Sequence, residues 1–231
     1  MSDITISGPD GSMGGYLALP KGRTKAPGIL VIQEIFGVNK VMRDLTDGFA
    51  AQGYVALCPD LFWRQEPGIQ ITDQSEAEWQ RAFQLYQGFN EAKGVGDLIV
   101  SLEHLRAVPQ CSGKAGSVGY CLGGKLAYLM ATRSNADASV GYYGVGIEKA
   151  LGEAAAITKP LLLHIAAKDQ FCPPEAQVEI NAGLGRNSHV TLHTYPGVDH
   201  AFARVGGGHY DKAAADLANR RTAEFFTKHL G

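Results

Sequence analysis

The 231-residue chain has no apolar run approaching the roughly 18 residues that a membrane-spanning helix needs, so no such span is expected. Cysteine is scarce. The four present, at 58, 111, 121 and 172, form no C-x2–4-C pair of the kind that holds zinc, and a chain long enough to bury a full core needs no disulfide staples. Free thiols in a reducing compartment are expected. No Lys/Arg block is interleaved with aromatics, and a net charge of −2 has no strong sign, which argues against nucleic acid and against an anionic membrane surface. A small-molecule partner fits better. The first eleven residues lack the basic-then-apolar layout of a secretion leader, and with 45% hydrophobic and 19% charged residues the chain suits one core. The expectation is a single domain over residues 1–231, cytoplasmic and monomeric. None of the seven histidines stands in an H-E-x-x-H pattern, and Gly206-Gly207-Gly208 lacks the Gly-Lys-Ser/Thr ending of a phosphate loop. Neither a metal nor a cofactor is expected.

What is there is alternation. Short apolar runs at 15–19, 28–33, 54–58, 116–120, 138–142, 161–166 and 190–195 read as strands bounded by turn residues. Segments 38–52, 75–89, 95–107, 124–133, 174–184 and 210–229 carry helical periodicity. This is the pattern of an α/β fold, a mostly parallel twisted sheet flanked by helices on both faces. Residues 64–73 are polar and irregular, a candidate surface excursion over the site.

The most informative stretch is Gly119-Tyr120-Cys121-Leu122-Gly123-Gly124, where a strand candidate meets a helix candidate. Glycines around a central nucleophile permit a tight strand-to-helix turn that lifts the side chain above the sheet and leaves helical amides free to hold an oxyanion. Asp169 follows 48 residues later, just past the carboxyl end of a buried strand, and His200 after another 31, in the loop before the last helix. Nucleophile, acid, histidine is the chain order of α/β-hydrolases, with sulfur in place of a serine oxygen. In that reading His200 draws the proton from Cys121, Asp169 fixes the imidazole tautomer, and attack on an ester gives a thioester that water clears. Taken singly, each residue has a plainer use: a buried cysteine packs as a small hydrophobe, and an aspartate after a strand caps or turns. The order and spacing reverse that balance. Cys58, Cys111 and Cys172 lack any such context and read as structural, and His164, inside an apolar strand, reads as a hydrogen-bonded core histidine.

The same motif, together with Gln33-Glu34-Ile35-Phe36-Gly37-Val38-Asn39, Ala56-Leu57-Cys58-Pro59-Asp60-Leu61-Phe62, Gly94-Val95-Gly96-Asp97-Leu98 and His200-Ala201-Phe202-Ala203-Arg204, resembles the dienelactone hydrolase (carboxymethylenebutenolidase) family over nearly the whole chain. The resemblance implies an α/β-hydrolase fold without a large cap. It implies a Cys121, Asp169, His200 triad, an oxyanion hole from the amides of Leu122 and Ile35, and Glu34 as a fourth carboxylate that pairs with the resting thiol. The family reaction opens an enol-lactone bearing a carboxylate, giving maleylacetate from dienelactone in aromatic degradation, so guanidinium groups hold the substrate. Arg204 falls where one is expected. The other family arginine position falls on Trp79, with Arg81 two residues on, and two helical residues turn a side chain by about 200°. A nearby family tyrosine is Phe83 in this chain. Arg81, which also stands at ion-pair spacing from Glu78, is therefore a weaker candidate for substrate. Phe36, Tyr86 and Tyr143 are candidate pocket walls, with core packing an equal use.

Two rival readings remain on sequence grounds. One is a carboxylesterase or thioesterase of the same fold acting on an uncharged substrate, favoured by the altered arginine and tyrosine positions. The other is a non-catalytic binding or redox-sensing protein, which an unreactive Cys121 would support.

Overall fold

The computed structural model describes all of residues 1–231. Eight strands, β1 (Ser2–Gly8), β2 (Gly11–Ala18), β3 (Ala26–Ile32), β4 (Val55–Pro59), β5 (Cys111–Tyr120), β6 (Ser139–Tyr142), β7 (Leu161–Ala166) and β8 (Val190–Tyr195), make a mostly parallel sheet. Six α-helices alternate with them: α1 (Lys40–Ala51), α2 (Glu76–Gln87), α3 (Glu91–Ala107), α4 (Leu122–Arg133), α5 (Pro174–Leu184) and α6 (Lys212–Leu230). No helix is long and apolar enough to cross a membrane. The chain divides into two compact units, Met1–Ala115 and Gly116–Gly231.

In the first unit, β1 and β2 form an antiparallel hairpin whose register closes at Gly8 and Gly11, β2 runs antiparallel to β4, and β3 runs parallel to β4. All seven residues of β3 and all five of β4 are buried. Such uninterrupted apolar runs belong to strands covered on both faces. β1 escapes sequence detection because only Ile6 of its seven residues is buried, too little to write a hydrophobic pattern. Helix α1 begins after Asn39, whose side chain accepts from the Met42 N–H at 3.2 Å. α3 begins at Glu91, four residues earlier than its apolar periodicity suggests, because Asn90 caps it by accepting from the Lys93 N–H at 3.0 Å. Gly94, which the apolar periodicity leaves outside this helix, lies within it and makes room for its neighbour: a Cβ there would lie 2.2 Å from the Phe89 ring.

In the second unit, β5, β6, β7 and β8 pair in sequence order, all parallel, with Tyr120 opposite Tyr142, Tyr142 opposite His164 and His164 opposite His193. Helix α4 packs on β6 and α6 on β7. A ten-residue 3-10 helix, Ile147–Ala156, has no counterpart in the sequence pattern and packs against α4 and α5. The parallel arrangement places every strand's carboxyl end on one edge of this unit's sheet, and the loops that follow β5, β6, β7 and β8 gather the chemistry.

Candidate active site

Cys121 occupies the bend between β5 and α4. Its own φ is +57°, one of only three non-glycine residues with positive φ, the others being Tyr143 and Ala201. The sequence places the permissive residues around the bend, whereas the structure puts the unusual backbone angle on the cysteine itself. The neighbouring glycines serve another need, room. A Cβ on Gly119 would sit 1.9 Å from the Gly123 carbonyl oxygen, and one on Gly124 would sit 2.4 Å from the Tyr142 carbonyl oxygen. The bend is held by the Cys121 N–H donating to Tyr142 O at 3.1 Å and by the Gly124 N–H donating to Cys121 O at 2.9 Å. Leu122 is the first residue of α4, so its amide has no acceptor within the helix and lies at the positive end of the helix dipole.

Asp169 and His200 come to the same place from the loops after β7 and β8. His200 Nδ1–H donates to Asp169 Oδ2 at 2.8 Å, while the other carboxylate oxygen, Oδ1, accepts from the Phe171 N–H at 2.8 Å. Both oxygens are thereby oriented. The other hydrogen-bond partner of the imidazole is the Cys121 sulfur. His200 and Asp169 are 4% and 2% exposed. Burial is the largest single influence and opposes a charge on His200, but the Cys121 charge, the hydrogen bonds to Asp169 and Cys121 and the Asp169 charge together outweigh it and raise the imidazole to about 10.

Two aromatic rings fix the imidazole plane: Tyr143 meets it edge-on at 5.1 Å between centroids, Phe171 at 4.9 Å. Phe171 carries no periodicity that would mark it in sequence; only its place two residues after Asp169 could have. The His200 backbone is tied as well, its N–H donating to Asp199 Oδ1 at 2.6 Å and its carbonyl accepting from His209 Nδ1–H at 3.2 Å. Arg204 follows in the same loop, 7% exposed.

The other three cysteines are buried free thiols. Burial raises Cys58, and burial with the charges of Asp169 and Glu148 pushes Cys172 up to about 12. Neither is poised to ionise.

The remaining residues singled out from sequence lie in the first unit. Glu34, Ile35 and Phe36 open the loop after β3, all buried. Residues 64–73 are tied to that loop: Gly37 bridges Gln70, the Ile71 N–H donates to Phe36 O at 3.1 Å, and Asn39 Nδ2 donates to Ile71 O at 2.8 Å. Phe36 packs edge-on against Trp79 at 5.1 Å, and Trp79 stacks on Phe83 at 5.6 Å. Trp79 therefore occupies an aromatic stack, with its indole N–H donating to Asp73 O at 3.0 Å. Arg81 is paired, though not with Glu78. Its guanidinium meets Glu66 and donates to Gln84 Oε1 at 3.2 Å, because Glu78 is already engaged by the Thr72 N–H and hydroxyl and by the Ser75 hydroxyl. Both Arg81 and Glu66 are more than 40% exposed. Tyr86 is 38% exposed on the same helix.

A mostly parallel sheet, a strand-to-helix bend carrying a cysteine, and aspartate and histidine loops in that order define an α/β-hydrolase, without a large inserted cap. The dienelactone hydrolase family profile matches residues 13–230. A protein of Azospirillum brasilense, provisionally named a carboxymethylenebutenolidase, is 55% identical over all of both chains. The carboxymethylenebutenolidase of Pseudomonas putida is 41% identical over 96% of this chain and 94% of its own. Among solved structures, a provisionally titled dienelactone hydrolase from Klebsiella pneumoniae covers 98% of each chain with a TM-score of 0.87 at 24% identity, a likeness of fold. The chain belongs to the dienelactone hydrolase family, and it is a hydrolase.

Proposed function

We propose that the protein is a cysteine-dependent carboxylic-ester hydrolase that opens a small enol-lactone of the dienelactone type to a maleylacetate-type product. The single observation carrying this reading is His200, hydrogen-bonded on one side to Asp169 and on the other to the Cys121 sulfur. The Cys121 thiolate attacks the lactone carbonyl, and the Leu122 amide at the start of α4, with that of Ile35, stabilises the oxyanion. Collapse breaks the ring C–O bond. His200 gives its proton to the departing enolate oxygen, leaving a thioester, and then removes a proton from the water that hydrolyses it. Glu34 assists thiolate formation, and Arg204 holds a substrate carboxylate by charge-assisted hydrogen bonds. The Arg81 ion pair with Glu66 leaves Arg204 as the better candidate anchor and keeps an uncharged ester in play as the second reading.

The test is a panel of lactones and aryl esters with and without a free carboxylate, repeated for Arg204→Ala. Loss of about tenfold or more in kcat/KM confined to the acidic substrates is expected, as for removal of a charged hydrogen bond worth about 1.5–3 kcal/mol. Equal loss on neutral esters would move Arg204 out of the anion site and favour the uncharged substrate.

The state of His200 gives a pH expectation. A folded value raised to about 10 keeps the imidazolium through neutral pH, and deprotonation above that removes the proton the leaving oxygen needs. After subtraction of spontaneous hydrolysis, kcat/KM should fall as pH rises through about 10. Asp169→Asn should bring that limb to lower pH, since it removes one of the interactions favouring the charged ring; a limb indifferent to Asp169 would contradict this.

A further inference from the structure

Behind the triad, within the second unit, lies a buried polar chain that the mechanism above does not use. His164 on β7 is 1% exposed, and both ring nitrogens are engaged: Nδ1 with the Tyr195 hydroxyl at 2.7 Å and Nε2 with the Thr222 hydroxyl at 2.9 Å. Thr222 Oγ1 in turn lies 2.6 Å from the Tyr142 hydroxyl, which donates to Asn219 Oδ1 at 3.0 Å. An amide oxygen only accepts, so the directions propagate from it along the chain. Tyr142 donates to Asn219, Thr222 donates to Tyr142, and His164 Nε2–H donates to Thr222. That order requires a proton on Nε2. Burial holds His164 well below the ordinary histidine range, with the charges of His193 and Arg221 acting in the same direction, so the ring is neutral and Nδ1 accepts from the Tyr195 hydroxyl.

The chain touches the triad's supports at three points. The His164 carbonyl accepts from the Tyr143 N–H at 2.8 Å, and Tyr143 is the positive-φ residue whose ring flanks His200. The Tyr142 carbonyl accepts from the Cys121 N–H at 3.1 Å. Tyr195 packs on Phe202 at 4.9 Å, and Phe202 packs edge-on against Tyr143 at 5.6 Å. His164, Tyr143 and Asp169 also line one small internal cavity. The row Tyr120, Tyr142, His164, His193 thus crosses four strands one step before the loops that carry Cys121 and Tyr143.

We propose that His164 is a positioning residue: by joining Tyr195 to Thr222 and Tyr142 it fixes the strand ends that set the Cys121 amide and the Tyr143 flank of His200. The proposal rests on the hydrolase reading given above. A fully satisfied buried network specifies one arrangement of the groups it joins, and sub-ångström registry of the reacting groups is what a hydrolase of this kind needs. His164 itself is 1% exposed, so its disruption acts through the groups it positions at the reacting centre and falls chiefly on turnover.

The experiment compares His164→Phe, His164→Gln, Tyr195→Phe and Thr222→Val, each assayed well below its own unfolding midpoint. His164→Phe should lower kcat by about tenfold or more with KM within about twofold, the signature of misplacement at the reacting centre. His164→Gln, whose amide can still donate towards Thr222, should recover much of that loss. Thr222→Val and Tyr195→Phe, near-isosteric and removing one hydroxyl each, should show the same split and carry the test if His164→Phe does not fold. In the unaltered protein, nitrogen chemical shifts should show His164 as the neutral Nε2–H tautomer from pH 5 to 8. Folded variants with full kcat, a loss confined to KM, or a charged or Nδ1-protonated His164 would overturn the proposal. Cys121→Ala is run alongside: if it retains turnover the hydrolase reading falls, whereas a dead Cys121→Ala beside fully active His164 and Thr222 variants removes only the positioning role.

Discussion

Cys121→Ala should abolish turnover, by about 10^4-fold or more, equivalent to about 5 kcal/mol of transition-state stabilisation, while leaving the unfolding midpoint close to that of the unaltered protein. Alanine keeps the Cβ and removes only the sulfur, and the small side chain suits an 8% exposed position as well as cysteine does. Relief of the sulfur's hydrogen bond to His200 leaves the imidazole with Asp169 as its remaining partner, and its raised value should drop, because the Cys121 charge is the largest contribution raising it. Two measurements check this: hydrolysis of an activated lactone, and the titration of the His200 ring in Cys121→Ala. Residual turnover within tenfold of the unaltered enzyme would require another nucleophile. Neither Cys58 nor Cys172 offers one, since burial, joined at Cys172 by the charges of Asp169 and Glu148, holds each thiol well above the ordinary range.

Gly119→Ala should have the largest effect on stability. The added methyl would meet the Gly123 carbonyl oxygen at 1.9 Å, and the obstacle is backbone at the first turn of α4, which cannot swing aside as a long side chain can. Relief requires α4 to move off the end of β5. A cost on the order of 3 kcal/mol or more is expected, at the upper end of overpacking substitutions. Activity should fall with it, since the same shift displaces Cys121 and the Leu122 amide. Urea unfolding at constant slope would measure the first, and kcat of the folded fraction the second. A variant less than about 1 kcal/mol weaker would mean that the bend has slack, contrary to the packing described.

The two variants separate what the bend needs from what the reaction needs. The expected result is that folding needs the space at Gly119 and does not need the sulfur. This also explains why the sequence reads the elbow well. A strand that must turn at once into a helix, with a nucleophile at the apex and carbonyls within touching distance, imposes small residues at fixed neighbouring positions, and that constraint is local. The strand and helix alternation is legible for the same reason, since buried parallel strands such as β3 and β4 are written as largely apolar runs. The order of Cys121, Asp169 and His200 is equally visible, because each follows a strand candidate.

Other features depend on residues that chain distance hides. Arg81 stands at helical spacing from Glu78, yet its partner is Glu66, fifteen residues back, because Thr72 and Ser75 have already filled the Glu78 carboxylate. The role of Phe171 against His200 follows from a ring meeting a ring across 29 positions, which no periodicity records. β1 leaves no pattern since it buries one side chain, and its pairing with β2 is a matter of backbone hydrogen bonds, which any sequence can make.

The amino-acid sequence by itself determined the alternation of strands and helices, the small residues around Cys121 and the succession of sulfur, carboxylate and imidazole, because each arises from neighbours along the chain or from a run of like residues. Only the tertiary structure decided that the positive φ falls on Cys121, that Tyr143 and Phe171 bracket His200, and that His164 joins Tyr195 to Thr222 and Tyr142. The physical reason is that hydrogen-bond direction, ring contact and ion-pair choice are settled by competition among groups distant in sequence, and that competition is resolved only when the strands are side by side.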